Sequence, residues 1–206
     1  MNPQLAIGFN RLAPIYDSLA RLIIGKGIHN SQLHFLNYLK GKSKLLILGG
    51  GTGWILPHIV EINPALSIDY IELSPEMLLK AQQSLKDCQT VKFILGTEDN
   101  IPRIDYDCVL TNFYLDLFID SKMMEVTNQI KSSFTPNACW IATDFVSMRL
   151  WHKVVLWIMY RFFSIVTGLK TLSLPQWQNS IHEAGGKVIA MKSYSRGFIK
   201  TIVYEF

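Results

Sequence analysis

Cysteine is scarce in this chain: only Cys88, Cys108 and Cys139 occur among 206 residues. They are odd in number, far apart and never in a CxxC pair, which argues against a disulfide framework and against a cysteine-based zinc site. Histidine patterning for a metal is missing too, since His29, His34, His58, His152 and His182 form neither HxxxH nor HExxH, and no metal is expected. Basic clusters are absent. Twenty Lys and Arg against sixteen Asp and Glu leave a net charge of +4, but the basic residues are scattered singly, so no nucleic-acid partner is expected. Long uncharged apolar runs are also lacking. Residues 145–169 are rich in Trp, Val, Ile and Phe, yet Arg149, Lys153 and Arg161 interrupt them well short of the roughly 20 residues a membrane span requires. The segment reads as an amphipathic helix. The opening MNPQLAIGFNRLAPIYD shows no basic segment followed by an apolar run and a cleavage site, and the expectation is a cytoplasmic protein.

What is present is an ordinary globular composition, 49% hydrophobic and 17% charged, at a length that suits one α/β core with helical additions. Apolar residues from 4 to 39 recur at helical spacing with Gly25 and Gly27 breaking the pattern, which predicts two helices before the first strand. KLLIL at 44–48 reads as a parallel strand buried on both faces. WILPHIVEI then reads as a helix that opens at a glycine loop, because Pro57 is tolerable only near a helix start. Strand two falls at 67–72, followed by Ser74-Pro75-Glu76, an N-cap with proline and an acid in the first turn. Strands follow at 91–95, 107–110 and 139–143, with a helix around 123–133. After a short helix opened by Pro175, residues 187–194 and 198–204 flank Ser-Arg-Gly and predict an antiparallel hairpin. The fold class is therefore α/β, a Rossmann-like doubly wound sheet of seven strands, mostly parallel, with an antiparallel C-terminal hairpin strand and N-terminal helices. It is expected to form one domain: a helical cover at 1–42, a binding core at 43–144, a helical insertion at 145–174 and a C-terminal helix and hairpin at 175–206.

Three loops carry candidate chemistry. Gly49-Gly50-Gly51-Thr52-Gly53 lies between a strand and a helix, where missing side chains let a ligand lie against backbone and N–H groups can face an anion. Its GxGxG spacing departs from the dinucleotide fingerprint GxGxxG, and no GK[ST] ending is present. Glu72 closes strand two, nineteen positions past Gly53, where a carboxylate can accept from both hydroxyls of a ribose. Strand three ends in the polar Gly96-Thr97-Glu98-Asp99-Asn100. All three loops fall at the carboxyl ends of adjacent strands, the edge where open α/β sheets bind ligands.

LLILGGGTG, IDYIELSPEML, FILGTEDNIP and YDCVLTNF together resemble the successive motifs of class I S-adenosylmethionine-dependent methyltransferases, in order over residues 44–113. FNRLAPIYDSL resembles the segment that precedes the fold in ubiquinone and menaquinone biosynthesis methyltransferases. The resemblance implies S-adenosyl-L-methionine as cofactor. By it, Gly49, Gly51 and Gly53, with Gly50 and Thr52 of the same loop, approach the methionine part. Glu72 holds the ribose, Leu73 packs on the adenine with Met77 nearby, Thr97 and Glu98 contact the amino edge, and Asn112 lies near the sulfonium. Tyr16 and Tyr114 are placed to close over the cofactor. Ile47 stands where the family usually has an acid, and Thr97 where it often has Asp.

Because a sulfonium methyl is already electrophilic, the protein's task is to hold a nucleophile in line and exclude water. Candidate bases are Asp116, Asp144 and His152, each at or just after a strand end. The apolar residues 151–169 occupy the insertion where relatives place substrate-covering elements, which implies a small apolar acceptor, quinol-like or polyketide-like, methylated on oxygen or carbon. A buried core helix and a helix resting on lipid are the other readings of that segment. Peripheral membrane contact and a homodimer are left open. The alternatives in function are aminopropyl transfer of the polyamine-synthase kind, a non-catalytic module that binds S-adenosylmethionine, and a short dinucleotide-binding oxidoreductase.

Overall fold

A computed structural model describes residues 7, 8, 10, 13, 27–85, 88–169, 171 and 173–206. Among them are seven strands, β1 (Lys44–Leu48), β2 (Ser67–Glu72), β3 (Val91–Leu95), β4 (Tyr106–Asn112), β5 (Phe134–Phe145), β6 (Lys187–Tyr194) and β7 (Ile199–Glu205). The α-helices among them are α1 (Gly27–Leu33), α2 (Leu56–Ile62), α3 (Pro75–Ser84), α4 (Asp120–Lys131), α5 (Leu150–Thr167) and α6 (Trp177–Glu183). One sheet contains all the strands in the order β3-β2-β1-β4-β5-β7-β6. The first five run parallel, and β7 lies antiparallel between β5 and β6. This is the expected doubly wound sheet with its reversed C-terminal strand.

The alternating faces of β1 explain why its sequence is continuously apolar. Leu45 and Ile47 join Leu39 and Ile59 on one side, while Leu46 and Leu48 join Ile130 and Trp140 on the other. The chain leaves β1 in one direction to build β2 and β3 and returns to its other flank to build β4 and β5. The carboxyl ends of β1 and β4 thus diverge into a crevice, where loops can reach a ligand from both sides. A third cluster, with Phe145, Leu156, Met159, Tyr160 and Phe198, holds α5 over that end of the sheet.

Several boundaries differ from the sequence reading. α1 is described from Gly27 onward, and a 3-10 turn at Leu36–Leu39 completes the approach to β1. The helix expected before Gly25 lies outside the described residues apart from positions 7, 8, 10 and 13. The glycine-loop helix opens at Leu56, with Pro57 in its first turn. β4 and β5 are longer than expected. β5 begins at Phe134 and carries Pro136 and the left-handed Asn137 (φ 62°), breakers tolerated because the β4–β5 register shifts between Tyr106 and Cys108 and this end is not fully buried. No described helix is long and apolar enough to cross a membrane.

Candidate active site

The turn after β1 is held from beneath. Gly49 and Gly50 donate their N–H groups to the Ile71 carbonyl at 3.0 and 3.3 Å, and Gly51 N–H donates to Glu72 Oε2 at 2.9 Å. The Tyr70 hydroxyl donates to the Gly51 carbonyl at 3.0 Å. Three N–H groups expected to face an anion are therefore committed to β2. What the glycines provide is clearance. Gly53 (φ 76°) lies against α3, where a Cβ would come within 2.6 Å of the Ala81 backbone, whereas Gly51 (φ 67°) has nothing within 4 Å of that position and faces the open cleft.

Glu72 is buried and also accepts from Ser74 N–H through Oε1 at 2.8 Å. Burial pushes its carboxyl above the ordinary range, opposed by the nearby backbone N–H groups, first those of Ser74 and Gly51. Thr97 caps the 3-10 turn Glu98–Asn100, its hydroxyl accepting from Asp99 N–H at 3.3 Å and its own N–H donating to Asn100 Oδ1 at 3.0 Å. Glu98 is turned inward and lies off the cleft wall, with Oε2 taking the Tyr114 hydroxyl at 2.6 Å. Burial of the ring, and then that carboxylate, hold the Tyr114 phenol well above its usual range. Tyr114 thus forms a fixed wall packed against Gly49 instead of a movable cover.

Gly49, Gly50, Gly51, Thr52, Glu72, Leu73, Met77, Thr97, Asn112 and Asp116 all line one cleft, whereas Gly53 lies behind it. Tyr16 lies outside the described residues. Two polar atoms at the cleft are buried without a partner, Asn112 Oδ1 and Asp116 Oδ1. Burial pushes the Asp116 carboxyl up to about 7.

Two of the three candidate bases do not reach the cleft. Asp144 is fully buried, and its oxygens accept N–H groups from Leu115 (3.0 Å), Asp116 (3.1 Å) and Phe145 (2.7 Å). Burial and the neighbouring Asp116 hold its carboxyl well above the usual range. It accepts the first two N–H groups of the 3-10 turn Leu115–Leu117, the turn that carries Asp116. His152 is buried in the first turn of α5, where Nδ1 accepts Met148 N–H at 3.0 Å and the ring packs on Trp151 and Phe198. Burial and then Arg149 hold it below the ordinary imidazole value.

Sequence reasoning missed the rest of the wall. Ile28 and Gln32 of α1, Trp54, and Phe113 line it, as does Ile47 at the end of β1. The first pair lies four residues apart on one helical face, a readable signal. Phe113 gives none: it is a bulky residue held at φ 52° by its N–H bond to Thr143 O at 2.8 Å, backbone strain of the kind that collects at functional sites. Met159, Tyr160, Phe163 and Leu169, from α5 and its end, close the apolar side.

The sheet order, the reversed β7 and a cleft above the β1 and β4 ends define a doubly wound fold with a ligand site at its switch point. Residues 46–140 match the family model described as a methyltransferase domain. The chain is 29% identical over 116 residues to malonyl-acyl-carrier-protein O-methyltransferase 1 of Ilyobacter polytropus, covering 56% of this chain and 42% of that one. It is 27% identical over 155 residues to the demethylmenaquinone methyltransferase of Chlamydia felis, covering 75% and 66%. The first match thus spans less than half of its relative's length. In fold it is similar to the DhpI–SAH complex, with a TM-score of 0.71 at 14% identity over 98% of this chain and 94% of that one. Residues 46–140 thus match a methyltransferase domain, and the fold around them is that of the similar solved structure.

Proposed function

We propose that this cleft binds S-adenosylmethionine and that the chain transfers the cofactor's methyl group to a small apolar acceptor held beneath α5. The observation that carries the reading is a single cleft with two kinds of wall. One is polar, built by the loops after β1 to β4, and the other is apolar, built by Phe113, Phe145, Met159, Tyr160, Phe163 and Leu169.

The residues present fit the cofactor. Gly51 leaves open space where a side chain would stand, and the orphaned Asn112 Oδ1 calls for a donor, since an unmet buried acceptor costs about 1–3 kcal/mol. An amino group on the ligand would meet that need, the more so because Ile47 replaces the acid of the family pattern. Glu72 uses one lone pair on each oxygen and would take ribose hydroxyls on the others. Leu73 and Met77 would hold the adenine, with Thr97 at its edge, while Glu98 would support that edge only through Tyr114.

When bound, the cofactor supplies a methyl that is electrophilic without further activation. The chain's own residues orient the acceptor and exclude water, which is the work of the apolar wall. For an acceptor hydroxyl or acidic carbon, Asp116 would take the proton, because it lines the cleft, keeps Oδ1 free and titrates near neutrality. Asp144 would act through it by fixing the turn. The acceptor is read as quinol-like or polyketide-like, methylated on oxygen or carbon, with residues 1–42 and 145–174 as covers around the core of one domain. The free thiols of Cys88, Cys108 and Cys139 go with a cytoplasmic location, and contact of α5 with lipid belongs to the same reading.

Calorimetry with S-adenosylmethionine and S-adenosylhomocysteine is the first test, with NAD as control. Saturable heat with the first two is expected, and its absence overturns the reading. Methyl transfer is then expected to apolar phenols and quinols, and transfer to charged metabolites alone would overturn the apolar acceptor.

A further inference from the structure

The helix α5 carries two apolar stripes, and only one of them is used by the fold. His152, Leu156, Met159, Tyr160, Phe163 and Thr167 follow helical spacing on the inner side. Leu150, Val154, Trp157, Ile158 and Ile165 repeat that spacing on the outer side, where Leu150 and Ile165 are 81% and 85% exposed and Trp157 is 59% exposed. At about 100° per residue the outer stripe covers roughly a third of the helix circumference, with Met148 and Trp151 beside its start. Scattered surface hydrophobics need no explanation, but this much apolar side chain exposed along one helix face calls for a partner.

We propose that this outer face docks on the surface of a bilayer that contains anionic lipid. Charge decides between occupants. No Asp or Glu occurs anywhere from residue 145 to 182, while Arg149, Lys153 and Arg161 all lie exposed on or beside the stripe. A second copy packed through a two-fold axis would set these cations against their own images with no acid on α5 to answer them. An anionic headgroup layer satisfies all three, while the apolar side chains enter the acyl boundary and the long basic side chains reach back to the phosphates. Trp157 suits that depth, and the Arg161 guanidinium lies 5.7 Å from the centre of its ring, so cation and aromatic approach the interface together. The helix cannot span, so it lies in the plane of the surface.

The inner stripe of the same helix roofs the cleft. Resting on the apolar-acceptor reading above, docking would set that roof against the phase in which such an acceptor dissolves. The docking itself does not depend on which acceptor is used.

The test is co-sedimentation of the full chain with vesicles of phosphatidylcholine alone and of phosphatidylcholine with phosphatidylserine, without cofactor or acceptor. Binding to the anionic vesicles that weakens with salt is expected, with a blue shift of tryptophan emission. K153Q combined with R161Q should lower the partition coefficient about thirtyfold, from the two charges removed near the surface. W157S combined with I158S should abolish binding while leaving the circular dichroism and S-adenosylmethionine calorimetry of the chain unchanged. Failure to bind either vesicle, or binding insensitive to both double variants, would overturn the proposal. So would a dimer in size-exclusion chromatography that the W157S and I158S pair dissolves, because a second copy would then cover the face. Cofactor calorimetry on the same samples keeps this outcome separate from the methyltransferase reading.

Discussion

The carboxylate of Glu72 answers two backbone N–H groups from different segments, Gly51 in the turn after β1 and Ser74 at the cap of α3. One side chain thereby fixes the distance between two walls of the cleft while presenting its remaining lone pairs to a ligand. Replacing it with alanine orphans both donors and removes an acceptor from the cleft. Glu72→Ala is expected to weaken S-adenosylmethionine binding by about 1–3 kcal/mol, measured by calorimetry. Unchanged affinity would take Glu72 out of the binding role. Its position was legible because a carboxylate at the end of a buried strand has few reasons to be there. The three candidate bases were not separable in the same way. Asp116 follows the end of β4 and Asp144 stands at the end of β5, and only the path of the Leu115–Leu117 turn decides that one faces the cleft while the other is consumed beneath it. His152 misled because a histidine early in a helix after β5 has the right address but turns its ring inward onto Phe198.

The glycine loop shows how one element serves packing and binding through different residues. At Gly53 a methyl group would collide with the Ala81 backbone and also face a positive φ, whereas at Gly51 only the φ opposes it. Gly53→Ala should therefore cost several kcal/mol in urea unfolding, roughly twice or more the about 1–2 kcal/mol of Gly51→Ala. In cofactor calorimetry Gly51→Ala should lose most of its affinity, because the new methyl enters the open cleft. Equal destabilisation of the two variants, with binding intact in Gly51→Ala, would reverse this division. β1, β2 and β3 matched their expected limits because each is a short apolar run closed by glycine or polar residues, a pattern set locally. The start of β5 did not, since Pro136 and Asn137 argue locally for a turn and only pairing with β4 and β7 makes that stretch a strand. The apolar wall given by α5 was legible as composition, but which stripe faces inward depends on tertiary packing that no periodicity within the helix can supply.

Across the whole molecule, the Asp116 and Asp144 pair couples the cleft to global stability. It joins β5 to the Leu115–Leu117 turn, and the Tyr160 hydroxyl of α5 reaches the Asp116 carbonyl at 3.5 Å. Burial raises the folded Asp116 carboxyl to about 7 from its ordinary 3.8, and Asp144 is raised in the same direction by burial and by Asp116 itself. A carboxyl whose pKa rises on folding binds its proton more tightly in the native state. Its stabilising contribution is full below about pH 4 and is lost as pH climbs through about 7. The two acids therefore oppose the usual acid-destabilising trend of paired carboxylates. Asp116→Asn removes one buried charge and lowers the cost of ionising the other. In urea denaturation the variant should be more stable than the parent at pH 8 by about 2–4 kcal/mol, with the gap closing toward pH 5, where the parent's Asp116 is protonated in the folded state. If Asp116 also takes the acceptor's proton, methyl transfer by the parent should rise through about pH 7, and the variant should lose both that rise and most of its rate. A gap in stability that stays constant from pH 5 to pH 8 would show that the carboxyl is not raised at all. A normal pH profile in the variant would leave Asp116 a structural acid.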